Sequence, residues 1–239
     1  MLLLSLALLY SRFQLKRNAN LELEVKNEMI SNEKDRSDKL LLNILPTEIA
    51  DELKRTGESA ARQYEHVTVL FTDFVNFTGI SEKMKPTDLV QVVHKYFTAF
   101  DAIMDKYGLE KIKTIGDAYL AVCGLPLEVE DHAIRVAKAA LEIQQLTLQK
   151  DSQFQIRIGI HSGPVVAGIV GVKKYAYDIW GDTVNTAARM EQHSETSKIN
   201  MSGATFELVK DAFHCAYRGK IEAKNKGQID MYFLDSVKV

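Results

Sequence analysis

From residue 65 onward the hydrophobic pattern changes period in a set order, and that order restricts the fold more than any single motif. HVTVLFTDF, ending at Phe74, alternates into a continuous apolar run, as a buried strand does. After Pro86-Thr87, residues such as Leu89, Val92, Tyr96, Ile103 and Tyr107 recur at helical spacing as far as Gly108. IKTIGDAYLAVCG is two short β-prone runs hinged on Gly116-Asp117, a hairpin signal. Residues 130–149 return to helix, with Ala133, Val136, Ala137 and Ala140 on one side. FQIRIGIHSG then alternates, so that Phe154, Ile156, Ile158 and Ile160 share one strand face. Strand, helix, hairpin, helix, strand predicts an α+β fold with a ferredoxin-like βαββαβ core. Its helices are expected to cover one face of a mainly antiparallel sheet. INMS (a strand), ATFELVKDAF (a helix) and a hairpin over 216–236 read as C-terminal additions.

The chain ahead of this core reads as helix. Residues 13–45 hold no glycine or proline, and Leu15, Leu21, Val25 and Met29 form a stripe that resumes at Leu40, Leu41, Ile44 and Leu45. This predicts a signalling helix or short parallel coiled coil over 13–45, with an amphipathic helix lying on its own domain as the alternative. Pro46 stops it. Residues 46–64 read as a short helix, capped by Thr47 and stopped by Gly57, plus a linker into a main domain over 65–239. MLLLSLALLY is uncharged, and Arg12, Lys16 and Arg17 follow it. A spanning helix needs ~20 apolar residues, and a signal peptide carries its charges before the apolar run. Residues 1–12 are therefore expected to end a truncated transmembrane helix, with the remainder at the inner face of the cell membrane below a membrane receptor. An apolar stub packed on the domain or on a partner helix is the alternative.

A formal net charge of -2 offers no basic surface and argues against a nucleic-acid partner. Cys123 and Cys215 lack metal-ligand spacing and read as reduced thiols.

Several polar residues stand where chemistry is feasible. Asp73 closes an apolar strand, and Asn76, Thr78 and Gly79 follow it in a loop. A carboxylate beside free backbone N–H groups suits a hard cation carrying phosphates; taken alone, Asp73 reads as well as a cap for the next helix. Asp117 sits where a strand meets a turn, and sheet pairing would bring it near Asp73. Two carboxylates at one sheet edge can hold a pair of metal ions against a polyphosphate, although Gly-Asp also makes a turn unaided. Lys113, four residues before Asp117, could equally be its ion-pair partner. Asn185 and Arg189 share a helix face, an arrangement apt for a phosphoryl transition state or for ordinary solvent exposure. Asp178 lies in the loop YDIWG ahead of that helix. Lys220, Lys224 and Lys226 surround a hairpin, as a phosphate clamp or a solvated edge would. The six histidines read as structural.

FTDFVNFT, KTIGDAYLAVCGLP, RIGIHSGPVVAGIVG and YDIWGDTVNTAARME, in that order, resemble the catalytic domain of class III nucleotidyl cyclases over about residues 65–235. LLLNILPTEIADELKRTG resembles the linker joining signalling helices to such domains. The resemblance implies a homodimer that converts a nucleoside triphosphate into a cyclic nucleotide and pyrophosphate. It implies two Mg²⁺ or Mn²⁺ ions on Asp73, Asp117 and the Phe74 carbonyl, with backbone groups around Phe77 and Thr78 meeting the triphosphate. Asn185 would orient the ribose, Arg189 would stabilise the transition state, and Lys224 would bind phosphate, although AKNKG stands where relatives often read VKGKG. Lys113 and Asp178 match the base readers of adenylyl cyclases, in place of the glutamate and cysteine usual in guanylyl cyclases, so ATP is the expected substrate. A catalytically silent regulatory domain and a guanylyl cyclase are the competing readings. In the dimer so implied, Asp117 and Lys113 of one chain serve different active sites.

Overall fold

A single helix, α1 (Leu2–Leu42), runs unbroken through both segments that the sequence separates at residue 12. With no glycine or proline to interrupt it, this helix reaches about 60 Å. The computed structural model describes residues 2–150, 152–171, 175–223 and 227–238. Among the described residues, no helix is long and apolar enough to cross a membrane. Leu15, Leu21, Val25 and Met29 on α1 are exposed. Its last turn is rooted in the domain: Leu41 packs against a core cluster that includes Leu45, Ile49 and Ala50.

The short helix α2 (Thr47–Thr56) is capped by Pro46 rather than Thr47, without a side-chain cap. Proline's fixed φ suits that entry. Gly57 ends α2 in the left-handed conformation (φ 80°), as expected. Strand β1 (Arg62–Phe74) begins earlier than residue 65, and an irregularity between Tyr64 and Val67 marks where regular pairing resumes.

After the short helix α3 (Phe77–Ser81), α4 (Pro86–Tyr107), β2 (Glu110–Ile115), β3 (Ala118–Cys123), α5 (His132–Thr147) and β4 (Ile156–Val170) complete the βαββαβ unit with β1. Beyond it lie β5 (Ala176–Trp180), α6 (Asp182–Gln192), β6 (Ile199–Ser202), α7 (Gly203–Val209), β7 (Phe213–Ala223) and β8 (Gly227–Val237). The sheet order is β2-β3-β1-β4-β6-β8-β7, with β5 pairing β4 off that path. Among the described residues, every pairing is antiparallel except β4 with β6.

At three further points the structure departs from what the sequence predicts. YDIW is strand, not loop: β5 folds back on β4, setting Asp178 opposite Gly168. Helix α6 is capped by Gly181 (φ 140°) with no side-chain cap, so neither Asp182 nor Thr183 serves. The Thr183 hydroxyl donates instead to the Pro164 carbonyl at 2.6 Å. Finally, helices cover both faces of the sheet. Leu70 and Phe74 face α4 and α5, whereas Val67, Val69 and Phe71 face α2 and α6. A strand apolar on both sides cannot leave one of them in water.

Candidate active site

Helix α6 lies directly on β4 because Gly159 has no side chain. A Cβ there would sit 2.0 Å from the Glu191 backbone nitrogen and 2.6 Å from the Ala187 carbonyl oxygen. That contact brings Glu191 of α6 over the sheet face that presents Asp73 and Arg157.

Asp73 is one residue from the end of β1 and pairs in register with Arg157 on β4. The Arg157 guanidinium donates through Nη2 to Asp73 Oδ2 at 2.8 Å. Its Nε lies 3.0 Å from Glu191 Oε1, an ion contact rather than an aligned hydrogen bond. Asp117 follows Gly116 (φ 63°) in the β2–β3 turn. Its carboxyl is shifted upward, first by burial and then by the charge of Asp73, with which it interacts directly. Glu191 is pushed up to about 7 by burial, and Asp73 and Asp117 push the same way against the opposing pull of Arg157. Four ionisable groups therefore form one cluster, three of them acidic.

Among the described residues no group of three such side chains is placed to hold a metal ion, so the fit to a divalent cation rests on the pair Asp73 and Asp117. The donors are hard carboxylate oxygens, as Mg²⁺ and Mn²⁺ require. Two of the carboxylates repel each other, and a guanidinium already stands where positive charge is wanted. The backbone of Phe74 is next in line, while its ring is buried against Tyr96 and Phe154. Phe77 and Thr78 open α3, where the first N–H groups of a helix have no intrahelical acceptor. Asn76 precedes them in the left-handed conformation and supplies no side-chain cap.

A second cluster involves Lys113 and Asp178. The Lys113 ammonium donates to Asp178 Oδ2 at 2.5 Å, and the backbone N–H of Ile179 donates to Oδ1 at 2.9 Å. Lys113 is thus the partner of Asp178, not of Asp117. On β4, Arg157 lies near one end and Gly168, opposite Asp178, near the other. The metal-type carboxylates and the Lys113–Asp178 pair are separate groups, each with its own partners.

On α6, Asn185 is exposed and Arg189 is half-buried. Arg189 Nη1 is buried without a hydrogen-bond partner among the described residues. An orphaned guanidinium donor is costly unless a ligand completes it. Lys224 lies outside the described residues, as does Lys226; Lys220 is 3.8 Å from Asp230. His161 and His132 are buried and hydrogen-bonded to Ser202 and Thr68, as structural histidines would be.

Residues 59–236 match the family model described as the adenylate and guanylate cyclase catalytic domain. The chain belongs to this family of class III nucleotidyl cyclases. It is 40% identical over 219 residues to the guanylate cyclase soluble subunit beta-2 of Rattus norvegicus, covering 89% of this chain and 32% of that protein. It is 39% identical over 212 residues to an adenylate cyclase of Mycobacterium bovis, covering 87% of this chain and 48% of that protein. The cyclase chain thus spans about a third to a half of these curated relatives. Among solved structures it resembles the catalytic core of a rhodopsin-guanylyl cyclase with converted specificity in complex with ATPalphaS. That match has a TM-score of 0.71 and 40% identity, covering 74% of this chain and 99% of the other.

Two members of the cyclase cluster escaped the sequence reading. Arg157 stands out in the sequence only as the polar alternate of FQIRIGI, and Glu191 only as the acidic residue that ends YDIWGDTVNTAARME. Alternation along β4 gives the face that Arg157 takes, but nothing local shows that this face meets α6.

Proposed function

We propose that this cyclase domain is an adenylyl cyclase that converts ATP into 3′,5′-cyclic AMP and pyrophosphate. The observation that carries this reading is the Lys113–Asp178 pair. It sets a cationic donor beside an anionic acceptor, complementary to the ring-nitrogen acceptor and exocyclic amine donor of adenine. Guanine presents a carbonyl and a ring N–H there and would leave both groups mispaired, the situation that gives polar sites their strongest discrimination.

The 3′-hydroxyl oxygen attacks the α-phosphorus in line, the new P–O bond replaces the bond to the departing pyrophosphate, and the hydroxyl proton passes to water. Two Mg²⁺ or Mn²⁺ ions, which Asp73, Asp117 and the Phe74 carbonyl would hold, would make that hydroxyl more acidic and neutralise phosphate charge. Backbone N–H groups at Phe77 and Thr78 receive the triphosphate, and Lys224 would bind its phosphates. Asn185 orients the ribose, and the unpartnered Nη1 of Arg189 meets the charge that develops in the transition state. Each site is shared across a homodimer, with Asp73 and Asp117 from one protomer and Lys113, Asp178, Asn185 and Arg189 from the other. The exposed apolar residues of α1 support a dimeric input helix; a membrane-bound receptor upstream, with the catalytic domain on the cytoplasmic side, completes this reading.

The test is product formation by purified protein with Mn²⁺, from ATP and GTP side by side. Cyclic AMP as the main product is expected. Comparable turnover of GTP would favour a guanylyl cyclase, and no product from either would favour a silent regulatory domain.

A further inference from the structure

Glu191 plays no part in the reaction as derived so far, yet its burial needs a reason. Its side chain is 9% exposed, on a helix whose other carboxylate, Asp182, lies in the opening turn. Burying a carboxylate is expensive unless a cation and hydrogen bonds compensate it. Its charge partner is Arg157, which touches Glu191 at 3.0 Å and Asp73 at 2.8 Å. One guanidinium therefore serves two carboxylates, one on α6 and one at the end of β1. The backbone contact at Gly159, two residues along β4, holds α6 at the distance this bridge requires.

A shared guanidinium acts differently from a dedicated one. While Glu191 takes part of its charge, Arg157 orients Asp73 without neutralising it. With Glu191 removed, the whole positive charge would fall on Asp73 and compete with any other cation there. We propose that Glu191 is a positioning residue for metal binding: by sharing Arg157 it keeps Asp73 available, beside Asp117, to a divalent cation. This inference rests on the reading of Asp73 and Asp117 as the metal-binding pair. It also gives α6 a second task, since the helix that carries Asn185 and Arg189 also tunes the acidic pair of its own chain.

The test is Mn²⁺ binding to the full chain without nucleotide, followed by titration calorimetry at about pH 8, above the value of about 7 to which burial pushes Glu191. Wild type is compared with Glu191→Gln, Arg157→Gln and the double variant. Glu191→Gln is expected to weaken Mn²⁺ binding about tenfold, the scale of one pKa unit of lost interaction. In the Arg157→Gln background the same change is expected to alter affinity less than about twofold, because the competing cation is gone. Equal weakening in both backgrounds would reduce Glu191 to a distant charge and overturn the proposal, as would unchanged affinity in the single variant. Should Glu191→Gln not fold, Glu191→Asp keeps the charge but withdraws it by one methylene. An intermediate loss of affinity is expected there, and wild-type affinity would overturn the proposal. Asp73→Ala separates the two ideas: if it still binds Mn²⁺ as wild type does, the metal assignment fails independently of Glu191.

Discussion

Lys113 Nζ stands 2.5 Å from Asp178 Oδ2, joining two residues 65 positions apart, one on an edge strand and the other on the strand that folds back over β4. Each side chain neutralises the other before any nucleotide arrives, so the donor–acceptor pattern offered to a base is set by the protein. A change at either residue alone leaves a charge without its partner. A change of specificity therefore requires both.

The double substitution Lys113→Glu and Asp178→Cys is expected to move preference from ATP toward GTP by at least ~10²-fold in kcat/KM, within the range that mispaired polar groups in a binding site produce. Lys113→Glu alone should lose activity with both nucleotides, since it sets two carboxylates face to face. Steady-state kinetics with each nucleotide decide it, and unchanged ATP selectivity in the double variant would remove these residues from base recognition.

Sharing of sites across a homodimer is open to complementation. Asp73→Ala and Asn185→Ala chains should each be inactive alone. Mixed in equal amounts, they should recover on the order of a quarter of wild-type activity, because half the dimers are mixed and each holds one intact site. Activity that stays at the level of the separate variants would place all these residues in one protomer's site.

Gly159→Ala tests how closely α6 sits on the sheet. Its Cβ would meet backbone atoms of Glu191 and Ala187, not the tip of a flexible side chain. The cost should reach at least ~3 kcal/mol, at the upper end for overpacking. A lowered Tm is expected, together with loss of activity at temperatures where the variant remains folded. An unchanged Tm would mean that α6 can lift off β4 freely.

Glu110 gives a pH dependence of defined sign. Burial, then Glu48 on α2 and Asp105 on α4, push its carboxyl up to about 7. The folded state thus holds this proton more tightly than the unfolded chain does. The stability it contributes is present below the ordinary carboxylate range and is lost as pH rises through about 7. Glu191 shifts in the same direction. Glu110→Gln should raise Tm at about pH 8 and leave it nearly unchanged at about pH 4, flattening the profile. Thermal unfolding across that range is the measurement; an identical slope in the variant would exclude Glu110 as its source.

Much of this architecture was readable because each core element carries a pattern with one period. Leu89 to Tyr107 could only be a helix with one wet face, and Gly116-Asp117 could only turn. The missed features depend on contacts between distant segments. Asp178 looked like loop because YDIW is short and is stabilised by pairing with β4, which no local signal announces. Coverage of both sheet faces was hidden for a similar reason: Val67, Val69 and Phe71 declare an apolar face without naming what covers it. At the site, single residues were legible from motifs, whereas Arg157 and Glu191 acquire meaning only where β4 and α6 touch.

Helix α1 has a mechanical consequence. A helix of 41 residues without glycine or proline resists twisting and bending along its length. Rotation applied near its beginning arrives largely undiminished at Leu41, which is already packed against the catalytic sheet's own core. Residues 43–46, between α1 and α2, are the first stretch where the backbone can absorb such torque. The helix is built as a torsion rod and those four residues as its coupling, so their stiffness, more than the rod's, sets how much of an incoming twist the sheet receives.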